Sequence, residues 1–495
     1  MVPKMENTKK KISSKKNTKK AVVKSTTKRK LLIAGIITFI VIVCGGYMVV
    51  QTGLPARVLT GATVAGENVK VNEINYHFVE VYNMYSQYGI VSSKKDLTKI
   101  WDTTTGQTYG EYLYDSAVKN QLNIILLNKE AKKAGFVAVA ATRKVDEYIQ
   151  SLRDYAKQQK TTADTVLKKQ YGIGSGMSVR DLKAFMTREL IAQEYSEYLK
   201  QTNYTLTEEQ MKATYEAAPA DYDSVTYNAY LVPAGYETTA TAAQIATAVT
   251  AAKVKAQAII DATADIKTFR DASATAAGTD GTSSFADNAD PTHYTTTKVT
   301  TGSTFNSDVA DYLFSADRKE GDKTVITTDA GAIAVYFQTR QLDTSATVSY
   351  RSLLLSGTDI AKLKTTAEGY QASVKDEASF ITLVKKYSAD SASSIAGGLT
   401  SNVTAKSLTK DSPTAQDTAL SDWLLSADRK ADDMLIIENA DGVVLYYFQK
   451  SVPAWEATLL TGNVNTAYNA WYTALAAQSG NEYKINMGAI EFATY

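Results

Sequence analysis

Apolar side chains recur every third or fourth residue over 70–200 and every second residue in short runs beyond Val225. The chain therefore predicts a helical part followed by a mixed one. In the helical part Val118, Leu122, Ile125 and Leu126 form one stripe. It stops at Lys132, Lys133 and Gly135, a basic last turn with glycine just beyond it. Val145, Tyr148, Ile149, Leu152 and Ala156 form a second stripe. A third, with Leu182, Phe185, Met186 and Leu190, opens at Ser178 and Asp181, which have capping-box spacing. Thr207-Glu208-Glu209-Gln210 is a further box that starts a short helix running to about Tyr215.

Beyond Val225 strand-like runs alternate with helical stretches. Val225-Thr-Tyr-Asn-Ala-Tyr-Leu-Val232 and Val348-Ser-Tyr-Arg-Ser-Leu-Leu-Leu355 each precede a helical stretch, at 241–261 and 359–375. Each is followed by a closing β-rich run, at 332–337 and 443–448. The two halves also repeat. Asp311-Tyr-Leu-Phe-Ser-Ala-Asp-Arg-Lys319 recurs as Asp422-Trp-Leu-Leu-Ser-Ala-Asp-Arg-Lys430. Tyr336-Phe-Gln338 with Tyr447-Phe-Gln449, and Phe269 with Phe380, are displaced by the same interval, which argues for a duplicated α+β unit. A last helical stretch, 464–480, carries Tyr468, Trp471 and Leu475 and is expected to pack back on the helical part.

One apolar run belongs to neither pattern. Residues 31–50 carry no charge, and twenty residues at about 1.5 Å each span a bilayer core of about 30 Å. Of the 54 Lys/Arg and 52 Asp/Glu in the chain, residues 1–30 hold 12 and one. The rest thus carries 42 basic and 51 acidic side chains, a net of −9. A basic flank before an apolar span places the N-terminus in the cytoplasm and the remainder outside. Topology and anionic lipid explain the basic tail better than a nucleic-acid partner. The run exceeds a signal-peptide core and no small-x-small cleavage site follows it, so a signal anchor is expected. Cys44 is the sole cysteine, preceded by Val43 rather than the small residue of a lipoprotein box. No disulfide is available to the external part.

The residues also exclude several chemistries. Two distant histidines, His77 and His293, and one cysteine in an apolar span offer neither a transition-metal site nor a Cys/His nucleophile pair. No phosphate-binding loop or dinucleotide fingerprint is present. No metal or cofactor is expected, and His77, between Tyr76 and Phe78, reads as a packing residue. The 31 tyrosines suit adaptable binding surfaces and ordinary cores alike.

Residues 70–495 resemble the PrsA/SurA foldases. Thr207-Glu-Glu-Gln-Met-Lys-Ala-Thr-Tyr-Glu216, followed by Val225–Val232, looks like that family's junction between helical chaperone core and parvulin domain. Phe380-Ile-Thr-Leu-Val-Lys-Lys-Tyr-Ser-Ala-Asp390 with Gly397-Gly398-Leu399 is similar to a parvulin segment, and Asp422–Leu425 to its proline-pocket helix. The resemblance implies an α+β protein organised as follows: a basic tail (1–30), a transmembrane anchor (31–50), a linker (51–70) and an all-α chaperone module (71–224). Two parvulin-like domains (225–343 and 344–455) and a C-terminal helical segment (456–495) complete it. It implies Asp390 and Ser391 as catalytic groups, and Trp423 with its counterpart Tyr312 as substrate-binding aromatics.

The chain departs from that family at its histidines, one on the first strand and one on the last. The matching positions are Ala229 and Ser352 on the first strands, and Ile333 and Val444 near the second site. Turning an X-Pro bond needs an apolar pocket and fixed dipoles that favour the twisted amide, with no cofactor. Without the histidines, peptide binding outweighs catalysis in the reading. The expectation is a membrane-anchored extracytoplasmic foldase or chaperone of a Gram-positive bacterium, binding unfolded secreted polypeptides. An active prolyl isomerase rebuilt around Asp390 and Trp423, and a non-catalytic surface scaffold, stay open as alternatives.

Overall fold

The computed structural model describes residues 52–204, 206–278, 290–408 and 412–494. The apolar run 31–50 and Cys44 lie outside them. Among the described residues no helix is long and apolar enough to cross a membrane. The described residues form a mixed α+β protein that divides into two compact units, one of those up to Ser196 together with those from Tyr472 on, the other of those from Glu197 to Trp471.

The first unit opens with α1 (Leu54–Val58) and a hairpin of β1 (Thr60–Val64) and β2 (Glu67–Lys70). Next come α2 (Val71–Gln87), a small hairpin of β3 (Ile100–Asp102) and β4 (Gln107–Thr108), and α3 (Tyr109–Lys133). Three more helices follow: α4 (Val139–Gln158), α5 (Ala163–Tyr171) and α6 (Val179–Thr202), the last running on into the second unit. Local chemistry sets their ends. Thr108 and Glu111 exchange capping bonds at the start of α3. Gly135, with φ of 64°, supplies the left-handed turn after its last residue. At the head of α6 the Ser178 hydroxyl accepts the Asp181 N–H at 3.3 Å. The second and third stripes read from the sequence meet, without the exposed Tyr148, in one core of Val145, Ile149, Leu152, Leu182 and Phe185 with Tyr76, Leu167 and Met177.

The second unit begins with the end of α6 and α7 (Glu208–Ala217), capped by Thr207 and Gln210. Its first sheet is built from β5 (Asp223–Pro233), α8 (Ala242–Ala262), α9 (Ile266–Ala276), β6 (His293–Thr297), α10 (Lys298–Thr304), α11 (Ser307–Phe314), β7 (Lys323–Thr328) and β8 (Gly331–Leu342). The strand order is β6-β5-β8-β7, all antiparallel. Its second sheet comes from β9 (Ala346–Ser356), α12 (Ile360–Ser373), α13 (Glu377–Tyr387), β10 (Leu399–Thr404), α14 (Ala405–Leu408), α15 (Ala415–Leu425), β11 (Met434–Asn439) and β12 (Gly442–Pro453). The order β10-β9-β12-β11 is the same arrangement. Helices α8 and α9 cover one face of the first sheet through Ala256, Ile260 and Phe269, while α11 covers the other through Val309 and Leu313. In the second sheet α12 and α13 cover one face through Ala367, Phe380 and Val384, and α15 the other through Leu424.

The chain then forms α16 (Ala454–Ala476) and rejoins the first unit as β13 (Tyr483–Ile485) and α17 (Met487–Thr494). Strand β13 pairs with β1, Ala62 opposite Ile485, to give the order β13-β1-β2. Two expectations are corrected here. Residues 60–64 and 67–70 are strands rather than linker, and the module read as all-α, 71–224, contains the β3–β4 hairpin. These strands are too short for a period-two signal, and β13 lies at the far end of the chain from its partner. The C-terminal return is carried by this backbone ladder and not by Tyr468, which packs on Tyr204 within the second unit.

Candidate functional site

In β9 successive side chains alternate, so Tyr350 and Ser352 face away from α12 and α13 while Leu353 and Leu355 face them. Tyr446 and Phe448 of β12 share the first face, as partners of Ser352 and Tyr350. This is the face on which the resemblance puts a prolyl pocket, and the two sheets treat it differently. In the first sheet Tyr227, the fifth residue of β5 as Tyr350 is of β9, is fully buried. It stacks on Tyr294 at 5.3 Å, with Phe305 packed edge-on to Tyr294 at 5.2 Å. Ala229, Ile333, Val335 and Phe337 fill the rest, leaving that face a packed core. In the second sheet Tyr350, Trp423 and Tyr446 are only half-buried. Tyr350 meets Tyr446 at 5.9 Å, and Trp423 stands perpendicular to Phe448 at 6.2 Å. Burial first, then Tyr350 and the Asp417 charge, push the Tyr446 hydroxyl up to about 12. It stays a neutral donor. Ser352 and Val444, the positions the resemblance matches to the family's histidines, carry no ionisable group.

The residues expected to act are placed as follows. Asp390 accepts the Ala392 N–H at 2.9 Å on one oxygen and the Ser393 hydroxyl on the other. It thus closes its own loop, which is tied to β9 by Ala389 N–H to the Leu354 carbonyl at 2.8 Å. Ser391 is exposed, and its carbonyl accepts the Ser394 hydroxyl at 3.5 Å. Trp423 and Tyr312 hold equivalent positions, each under a guanidinium: Arg429 lies 4.9 Å from the Trp423 ring and Arg318 4.2 Å from Tyr312. Each arginine pairs with an aspartate four residues on, Asp433 at 2.9 Å and Asp322 at 3.1 Å. The repeated Ser-Ala-Asp-Arg-Lys segment therefore pins the aromatic that precedes it. A separate cleft of about 570 Å³ runs along edge strand β11, lined by Lys364, Glu368, Ala419, Met434 and Ile436. None of the four expected residues lines it.

The first unit carries a surface that sequence reasoning did not single out. Where α2 ends and α3 begins, Trp101 packs on Tyr109 at 5.1 Å and on Tyr112 at 4.7 Å. Tyr85 reaches Tyr112, hydroxyl to hydroxyl, at 2.9 Å, and Phe78 stacks on Tyr114 at 4.1 Å. Phe78, Tyr85, Tyr109, Tyr112 and Tyr114 are half-buried, while Tyr88 is 78% exposed, Ile100 53% and Trp101 41%, with Met84 and Ile90 also exposed. Single exposed apolar residues are ordinary; five within 84–101 are more than scattered single exposures. The spacing of Phe78, Tyr82 and Tyr85 is that of a core stripe, so the sequence carried no signal that separated this half-buried face from a fully buried one.

No protein-family model matches the chain, and no curated protein matches it in sequence. Among solved structures it is similar to the crystal structure of PrsA from Bacillus subtilis, at 15% identity over 66% of this chain and 98% of that one. The TM-score is 0.15, at which the likeness carries no argument about fold or function.

Proposed function

We propose that this protein is a folding factor of the PrsA/SurA type that holds unfolded polypeptides outside the cytoplasm, tethered through residues 31–50. The observation that carries the reading is the exposed aromatic surface of the first unit around Tyr88, Ile100 and Trp101. Tyr and Trp offer large contact area at low entropic cost, and their polar tips tolerate water when no client is bound. A surface of that kind grips apolar segments without reading their sequence. The two duplicated α+β units serve as further binding modules, the second through its half-open face of Tyr350, Trp423 and Tyr446. The tether rests on the charge and hydropathy pattern of residues 1–50.

The test is aggregation of a chemically denatured model protein in the presence of the full chain. Suppression is expected, and a Tyr88→Ser, Ile100→Ser, Trp101→Ser variant should need about 10–100-fold more protein for the same effect, given a combined loss of ~1.4–2.7 kcal/mol for the three anchors. Its circular dichroism should be unchanged, since all three side chains are exposed. A wild type that suppresses nothing would leave a surface scaffold. A second reading, an active prolyl isomerase, is favoured by the aromatic and hydroxyl-bearing face of the second sheet. Acceleration of X-Pro isomerisation that vanishes in Trp423→Ala or Asp390→Ala would establish it. The primary reading expects no measurable acceleration.

A further inference from the structure

His77 and Glu80 lie three residues apart on α2, a spacing that puts both on one face of the helix. Glu189 of α6 comes to the same place, and one ligand atom from each of the three residues lies within 4.8 Å of the others. The His77 Nδ1 to Glu80 Oε2 distance is 3.2 Å. Two donors bound to one tetrahedral Zn²⁺ at 2.0–2.1 Å stand about 3.3 Å apart, so this edge already has the length a shared ion requires. We propose that His77, Glu80 and Glu189 form a binding site for a divalent cation of the zinc class, which clips α2 to α6.

Three observations support the assignment independently of the distances. Glu189 is held from behind, as metal ligands usually are. The Tyr76 hydroxyl donates to Glu189 Oε2 at 2.7 Å, which leaves Oε1 for another partner. His77 is 1% exposed, so its ring is fixed, while Glu80 at 42% side-chain exposure gives an ion a way in from solvent. The charges also call for a cation. Among the described residues neither carboxylate pairs with Lys or Arg, and the imidazole is the basic group they share. One imidazole with two carboxylates suits zinc-class ions; Mg²⁺ and Ca²⁺ prefer all-oxygen shells. Three protein donors leave a fourth position for water.

The experiment is calorimetric titration of ZnCl₂ into the untagged full chain after EDTA treatment and dialysis, with Mg²⁺ as the contrast. One saturable Zn²⁺ per chain is expected, with a rise in melting temperature, and no response to Mg²⁺. Glu80→Gln and Glu189→Gln should each weaken Zn²⁺ by about tenfold or more and lose the thermal shift, with circular dichroism unchanged. These variants carry the test because the buried His77 cannot be replaced without disturbing its packing on Tyr76. Absence of saturable binding at millimolar Zn²⁺, wild-type affinity in both variants, or equal binding of Mg²⁺ would each overturn the site.

Discussion

Arg351 shows how much one side chain can decide. It follows Tyr350 on β9, is buried, and spends its guanidinium on four acceptors. Nε donates to Glu377 Oε1 at 2.7 Å, Nη1 to the Ala396 and Gly397 carbonyls at 2.9 and 3.0 Å, and Nη2 to Gln201 Oε1 at 3.0 Å. Burial lowers its pKa from the usual arginine value, and Glu377 acts in the opposite direction. Replacing it leaves a carboxylate and two carbonyls short of a donor, so Arg351→Ala should cost the second sheet about 3–5 kcal/mol. Hydrogen exchange of the β9 amides reads this directly, and wild-type protection in the variant would refute it. Arg351→Lys should recover little, because an ammonium cannot fork to separate acceptors. At this scale the sequence located Trp423 and Tyr312 as equivalent positions from the repeat alone. It could not tell that each is held under an arginine, because an Arg a turn further along the chain reads as surface charge until the backbone folds it back.

At the scale of elements, the two α+β units agree down to their punctuation. Gly331 and Gly442 open β8 and β12 at matching positions of the repeat, each with φ of 151°. A Cβ there would lie 2.1 Å from the carbonyl oxygens of Val232 and Leu355, so no other residue fits. Asp265 and Asp376, a second matching pair, cap α9 and α13 through the N–H groups of Thr268 and Ser379, both at 2.8 Å. Those backbone bonds, helped by the Thr268 and Ser379 hydroxyls, lower both carboxyl pKa values. A carboxylate with a depressed folded pKa contributes stability above its unfolded pKa, about 3.9, and loses it as pH falls through the folded value. Asn caps a helix as well as Asp does but does not titrate. The Asp265→Asn, Asp376→Asn variant should therefore match wild type at neutral pH and lose melting temperature less steeply below about pH 4. An unchanged acid slope would mean that the caps contribute nothing through their charge. Capping boxes are written at fixed short spacings and the repeat at one constant interval, which made both legible. The shortest strands were not.

For the whole molecule, the expectation concerns what holds a client. The chain beyond residue 50 carries a net charge of −9, yet the proposed client surface is aromatic and aliphatic. Salt screens exposed charges over about 8–10 Å but leaves apolar contact in place. Suppression of aggregation should thus change by less than about twofold between roughly 0.05 and 0.5 M NaCl. A collapse at high salt would shift the client site from the aromatic surface to a charged one.

Periodicity, caps, the constant interval of the repeat and the apolar run at 31–50 are properties of the linear order of residues, and the sequence by itself determined them. Helices, the mixed character of the second unit and the doubled pattern followed from these. The tertiary structure alone decided the rest, because each remaining feature depends on residues that only the fold brings together. Strand β1 finds β13 near the opposite end of the chain and closes the first unit as a sheet. Tyr227 and Tyr350 are the same residue at the same strand position, yet one is buried under Phe305 and Tyr294 and the other stands half in solvent. Glu189 reaches His77 only because α2 and α6 pack together. Burial is a property of what the fold brings alongside, and a one-dimensional pattern does not contain it.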